Sequence, residues 1–165
     1  MLVKTRAGFT LLEMLIVIAI MGILMALGVP MLRPPSSYLF ASDLKAMVQQ
    51  ARFESIKRNV PVAVVWSDSA KTFTTQSHTD YLKACDATGT EKLRVKSLTE
   101  YRNLRVTSAF QTGGLVWLPT GLGRQCTGGL MANGTTITDD RMVYRVCISS
   151  AGRVRIKKIE TDVNC

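Results

Sequence analysis

The chain has 165 residues, a formal net charge of +9 and a single histidine. The residues after position 32 are sufficient for one compact domain with its own core. Because we find no nucleophile–base set and no phosphate-binding loop, we expect neither an enzyme nor a cofactor.

A short basic leader precedes a long apolar segment. Lys4 and Arg6 lie before Gly8, and Glu13 is the only charge in residues 9–32. A helix of that length reaches about 36 Å, which is enough to cross a bilayer core. The positive charges before the segment predict a cytoplasmic amino terminus, with the rest of the chain outside.

Glu13 is an unusual residue for such a segment. A carboxylate in hydrocarbon costs about 2.5 to 3.5 kcal/mol, so a retained one usually has a partner or a function. One explanation is a cation of the same chain, Lys4 or Arg6, reaching toward it along the helix. The other is a partner that arrives with a second molecule.

The stretch GFTLLE at positions 8–13 resembles the class III signal of type IV pilins and type II secretion pseudopilins. The resemblance implies cleavage after Gly8 by prepilin peptidase, methylation of the new Phe9 amine, and packing of the helices into a filament core. Glu13 would then neutralise the Phe9 amine of a neighbouring pilin. It also implies a bacterial inner-membrane protein with a periplasmic domain, which is periplasmic or extracellular once in the filament.

Prolines separate this segment from a second helix. Pro30, Pro34 and Pro35 predict a kink or break, because proline clashes within a helix. Beyond it we expect residues 33–60 to form the amphipathic second part of a pilin helix. Its apolar positions are Leu44, Met47, Val48, Ala51 and Ile56.

From residue 61 to 165 the pattern changes to short β-rich runs between turn residues. Turn signals at Asn133-Gly134 and at residues 150–152 predict tight hairpins. We predict an α+β fold: a pilin-like N-terminal helix followed by an antiparallel, β-sandwich-like domain. The predicted strands are Val62–Trp66, Thr72–Gln76, Arg94–Leu98, Arg105–Phe110, Leu115–Leu118, Thr135–Thr138, Met142–Ile148 and Arg153–Ile159.

The last predicted hairpin is strongly basic. Alternation places its apolar side chains on one face and most of its cations on the other. Such a face suits a polyanion. The alternatives are a solvated strand face that keeps an exposed strand from aggregating and an interface to an acidic neighbour, and composition alone favours these alternatives. The cations are Arg141, Arg145, Arg153, Arg155, Lys157 and Lys158.

The carboxyl-terminal half, GLVWLPTGLGR…RMVYRVCISSAGRVRIKK, resembles the FimT/FimU/GspH group of minor pilins and pseudopilins. Gly152 to Arg155 fits the GRxR sequence of that group. In the FimT branch this implies sequence-independent binding of double-stranded DNA for natural transformation, with Arg153 and Arg155 on the phosphates. One alternative is a GspH-like pseudopilin of type II secretion that does not bind DNA. Another is an unprocessed membrane-anchored enzyme.

Four cysteines follow the apolar segment, in what should be an oxidising compartment. Two disulfides are expected, and the sequence does not choose among the three pairings. No metal site is expected, because there is no Cys-x-x-Cys pair and His78 is the only histidine. Trp66 and Trp117 are predicted to be core residues. The cysteines are Cys85, Cys126, Cys147 and Cys165.

Overall fold

The computed structural model describes residues 9–28, 34–86, 90–101, 103–108, 110, 113–131, 133–149, 151–160 and 165. The chain divides into two compact units, Met1–Pro34 and Pro35–Cys165. Gly8, Pro30 and the end of the predicted apolar segment lie outside the described residues.

The described residues of the first unit form one helix, α1, Leu11–Gly28. Thr10 begins it as a cap, because its Oγ1 accepts a hydrogen bond of 3.3 Å from the backbone N–H of Glu13. This is the Thr-x-x-Glu spacing of a capping box, so Glu13 also belongs to a local helix-start signal. Within the described residues, no helix is both long enough and apolar enough to cross a membrane.

The second unit begins with helix α2, Ser36–Arg58. It lies within residues 33–60, the range predicted for the amphipathic second part of the helix. Ile56 is 51% exposed, so its prediction as a core position was wrong. The buried residues of α2 are Ser37, Phe40, Ala41, Leu44, Met47, Val48, Ala51 and Ser55.

Asp139, in a distant turn, caps the start of α2. Its carboxylate accepts hydrogen bonds from the backbone N–H of Ser37 at 2.9 Å and from the hydroxyl of Ser36 at 3.1 Å. The same carboxylate accepts the N–H groups of Arg141 and Met142, each at 2.8 Å. Burial raises the pKa of Asp139, but these hydrogen bonds outweigh it and hold the pKa well below its usual range.

We therefore expect Asp139→Ala to lower the free energy of unfolding by about 2 kcal/mol at neutral pH. The folded-state pKa is depressed, so the carboxylate's contribution is complete above the unfolded pKa of about 3.9 and is lost as pH falls through the folded pKa. Urea denaturation at neutral and acidic pH measures both effects. Asp140→Ala, in the same turn but exposed, is the control, and an equal loss in both variants would contradict the capping role.

The described residues form nine antiparallel strands in two sheets. One sheet has the order β3-β2-β1-β5-β6 and the other β4-β7-β8-β9. This arrangement confirms the predicted α+β fold, and each of the eight predicted strands has a counterpart. The strands are β1 Val62–Ser67, β2 Thr72–Ser77, β3 Glu91–Ser97, β4 Arg105–Ser108, β5 Gly114–Trp117, β6 Gly123–Gln125, β7 Asn133–Thr138, β8 Val143–Ile148 and β9 Val154–Ile159.

A single large core joins α2 to both sheets. Trp117 of β5 is fully buried there, as predicted, whereas Trp66 is only partly buried at the margin. The hydroxyl of Ser55 donates a buried hydrogen bond of 2.8 Å to the carbonyl oxygen of Trp117. The helix is thereby fixed to the end of β5 by a polar contact as well as by packing.

One strand of this unit was not predicted, and one predicted turn was wrong. Strand β6 was not predicted, because its three residues are too few to show an alternating pattern. Asn133 and Gly134 lie within β7, paired with Ile148 and Cys147, and do not form a turn. Gly134 is needed there for space, since an added Cβ would lie 2.7 Å from Nε of Arg145.

Candidate anion-binding hairpin

The C-terminal hairpin consists of β8 and β9 and their connecting turn, residues 143–159. Its register places Cys147 opposite Arg155 and Arg145 opposite Lys157. Val146, Ile148 and Val154 belong to the core. The cations Arg145, Arg155 and Lys157 therefore occupy the opposite face of the hairpin, as the alternation predicts.

The turn of the hairpin depends on Gly152. Its φ of +78° lies in the left-handed region, and its N–H donates to the carbonyl oxygen of Ser149 at 2.8 Å. An added Cβ would lie 2.9 Å from Cζ3 and Cη2 of Trp117. The glycine of the GRxR sequence is therefore required both for its conformation and for the close approach of the turn to the core.

Arg153 and Arg155 are the most available of the predicted binding residues. Both side chains are exposed, and neither forms an ion pair with an acidic side chain in the described part of the chain. A guanidinium without a carboxylate partner retains its full capacity for a phosphate or carboxylate ligand.

The other predicted cations are placed differently. Arg145 is half-buried, and its Nη1 lies 3.4 Å from Oγ1 of Thr136. Lys158 lies opposite Tyr144, on the other face of the hairpin from Arg155, and forms an ion pair of 2.8 Å with Glu160. That hydrogen bond raises the pKa of Lys158.

Arg141 and Lys157 complete the predicted set. Arg141 is exposed but precedes the start of β8, so it lies about 20 Å along the strand from the GRxR turn. Lys157 is half-buried beside Arg145. The structure therefore brings Arg153 and Arg155 together and separates Arg141 and Lys158 from them.

All four cysteines form disulfides, Cys85–Cys126 and Cys147–Cys165. The second bond fixes Cys165 beside the hairpin, against Gly134, where an added Cβ would lie 2.9 Å from its sulfur. This confirms the expectation of two disulfides and selects one of the three pairings. Elsewhere in the described residues, no group of three or more potential ligands could hold a metal ion.

Comparison with solved structures identifies the class of this fold. The minor pseudopilin EpsH from the type 2 secretion system of Vibrio cholerae matches 74% of this chain and 97% of its own, with 14% identity and a TM-score of 0.55. The type IV minor pilin FimU from Pseudomonas aeruginosa matches 71% of this chain and 84% of its own, with 18% identity and a TM-score of 0.54. The fold is that of a minor pilin or pseudopilin.

Sequence comparison then gives the family. A model described as the prokaryotic N-terminal methylation motif matches residues 3–29, and one described as type II transport protein GspH matches residues 41–152. The chain belongs to the GspH family, whose members are structural pilin and pseudopilin subunits and not enzymes. The resemblance inferred from GFTLLE and GRxR is thus confirmed.

A curated relative supports the same assignment over a shorter stretch. The pilin-like protein PilA1 of Thermus thermophilus is 44% identical to this chain over 62 residues. The match covers 36% of this chain and 40% of that protein's length.

Two further cations near the hairpin turn did not enter the sequence-based prediction. Lys45 and Arg52 lie on α2. The guanidinium carbon of Arg52 lies over the ring of Trp117, 5.3 Å from the ring centroid, in a cation–π contact. The spacing of seven residues, two turns of a helix, places Lys45 and Arg52 on one face. Only the tertiary structure places that face beside the GRxR turn.

Proposed function

We propose that this chain is a minor subunit of a type IV pilus, anchored in the bacterial inner membrane with its second unit in the periplasm. Prepilin peptidase would cleave after Gly8, and the methylated amine of Phe9 would pair with Glu13 of a neighbouring pilin. The match to the methylation motif over residues 3–29 supports this processing. Two disulfides support an oxidising compartment for the second unit.

Exposed apolar side chains support assembly into a filament. In α1, Leu11 and Ile18 are 79% and 64% exposed. In α2, Phe53 and Ile56 are 63% and 51% exposed, although the opposite face of the helix packs on the core. Surfaces of this kind usually meet a partner, and in this family the partners are other pilins.

We further propose that the hairpin binds double-stranded DNA through its phosphates, as natural transformation requires. The observation that carries this proposal is the exposure of Arg153 and Arg155, side by side and without a carboxylate partner among the described residues. The mature chain would have a net charge of +7 after loss of Lys4 and Arg6. Such contacts would be independent of base sequence and sensitive to salt.

DNA binding by the full chain in non-ionic detergent tests this proposal. We expect fluorescence anisotropy with a labelled duplex to show binding at about 50 mM salt that weakens as salt rises. Arg153→Ala/Arg155→Ala should weaken binding by about tenfold or more and reduce the salt slope by about 2, because two phosphate contacts are lost.

The matched control is Lys57→Ala/Lys92→Ala, which removes two exposed charges away from the hairpin. Equal losses in the two double variants would mean that only net charge matters. The absence of binding at low salt would favour the second candidate, a type II secretion pseudopilin. The match to the family model of type II transport protein GspH supports that candidate. The hairpin would then contact a protein.

A further inference from the structure

A cleft with a cationic rim lies between α2 and the turn of the C-terminal hairpin. Its volume is about 670 Å³. We call it the cationic cleft, and its main lining residues are Lys45, Gln49, Arg52, Trp117, Arg153 and Arg155.

Within the described part of this unit, the cations of the cleft lack the carboxylate partners that Arg58 and Lys96 have. Arg58 pairs with Glu54 and Glu91, and Lys96 pairs with Asp43 and Glu100. In the described residues no carboxylate pairs with any of the four cations of the cleft, and none lines it. The cleft therefore concentrates positive charge at one concave place.

Arg52 is held in position by its surroundings. Its guanidinium lies over Trp117, and an added Cβ on Gly152 or Gly121 would lie 3.4 Å or 3.6 Å from its terminal nitrogens. The indole ring and the turns at Gly152 and Gly121 therefore all lie close to this side chain. A guanidinium held in this way loses little conformational entropy when it binds an anion.

We propose that the sugar-phosphate backbone of DNA enters the cationic cleft, where Lys45 and Arg52 bind phosphates together with Arg153 and Arg155. This inference rests on the proposed DNA-binding function and adds a second binding element, helix α2, to the hairpin. Lys45 and Arg52 are separated by about 10 Å along the helix axis, a length equal to about three nucleotides of one strand.

The lining of the cleft also indicates what is recognised. Among the described residues that line it, Trp117 is the one aromatic residue, and it is fully buried, so it offers no exposed ring for a base to stack on. The charged side chains of the lining are guanidinium and ammonium groups, which donate hydrogen bonds to phosphate oxygens. Binding is therefore directed at the backbone, without discrimination between base sequences.

The test compares the full chain in non-ionic detergent with Lys45→Gln/Arg52→Gln, using a labelled duplex over a salt series. We expect the dissociation constant to rise about tenfold and the salt slope to fall by about 2. Lys45→Gln alone should reduce the slope by about 1, and this variant leaves the contact between Arg52 and Trp117 intact. Lys57→Gln on the same helix, outside the cleft, should leave the slope unchanged.

The outcomes separate this inference from the proposed function. If Lys45→Gln/Arg52→Gln binds DNA like the Lys57→Gln control while Arg153→Ala/Arg155→Ala loses binding, the cleft inference is overturned and the hairpin function stands. If the wild-type chain does not bind DNA at low salt, both fail. Retention of DNA binding by the cleft variant, with loss of binding to a glutamate-rich peptide, would assign the cleft to an acidic protein neighbour instead.

Discussion

Replacing Cys85 and Cys126 with serine is expected to lower the free energy of unfolding of residues 35–165 by about 4 kcal/mol. The bond closes a loop with a sequence separation of 41, and a loop of that size loses about that much conformational freedom in the unfolded chain. Urea denaturation followed by tryptophan fluorescence measures the loss, because Trp66 and Trp117 both lie in this unit.

The Cys85–Cys126 bond also holds the loop between β2 and β3 against the five-stranded sheet. Cys85 and Cys126 pack with Tyr81 on a small apolar cluster of Ala63, Ala84 and Val116, on the face away from the main core. Gln76 adds two hydrogen bonds, from its amide nitrogen to the carbonyl oxygens of Ala84 and Asp86, at 2.9 and 2.7 Å. Loss of the disulfide should therefore release this loop first.

Limited trypsin digestion distinguishes this local release from a general loss of stability. Lys83 is exposed within the loop, and we expect rapid cleavage after it in Cys85→Ser/Cys126→Ser. The matched control is Cys147→Ser/Cys165→Ser, which removes the other disulfide and should cost about 3 kcal/mol while leaving Lys83 protected. Equal cleavage after Lys83 in both variants would contradict a local role for the first bond.

Gly152→Ala is expected to lower the free energy of unfolding by about 3 kcal/mol, the sum of backbone strain and overpacking. The alanine would have to adopt a left-handed backbone conformation, and its methyl group would contact Trp117. Trp117 is fully buried and cannot move aside. Urea denaturation measures the loss. Because the turn would be displaced, the same variant should also weaken DNA binding.

Gly113→Ala separates the two contributions. Gly113 has nearly the same φ, +77°, but an added Cβ there would have nothing within 4 Å. We expect this control to lose only the strain, about 1 kcal/mol. If the two glycine variants were equally destabilised, the contact with Trp117 would not explain why glycine is required at position 152.

The sequence predicted the elements whose signal is local. Residues 62–67 form a β-rich run, residues 143–148 belong to an alternation that places Tyr144, Val146 and Ile148 on one face, and GFTLLE is a compact signal. The capping of α2 by Asp139 was not predicted, because Asp139 lies 102 residues from Ser37 in the chain. No sequence pattern near Ser36 predicts a contact with so distant a residue.

The candidate site was predictable in part for the same reason. Arg153 and Arg155 belong to one short sequence pattern, and the register of the hairpin places them as the alternation predicts. The burial of Arg145 beside Cys165 depends on the pairing of Cys165 with Cys147, which composition does not determine. Arg52 joins the site only through the packing of α2 on Trp117.

The capping of α2 by Asp139 has a mechanical consequence for a subunit that works in a filament. One carboxylate holds both the first turn of the helix and the turn between β7 and β8. A pulling force that enters the chain at Pro35 is therefore shared at once between the helix and the second sheet. Acid strong enough to protonate Asp139 would remove that link, so the force required to extend the subunit should fall at low pH.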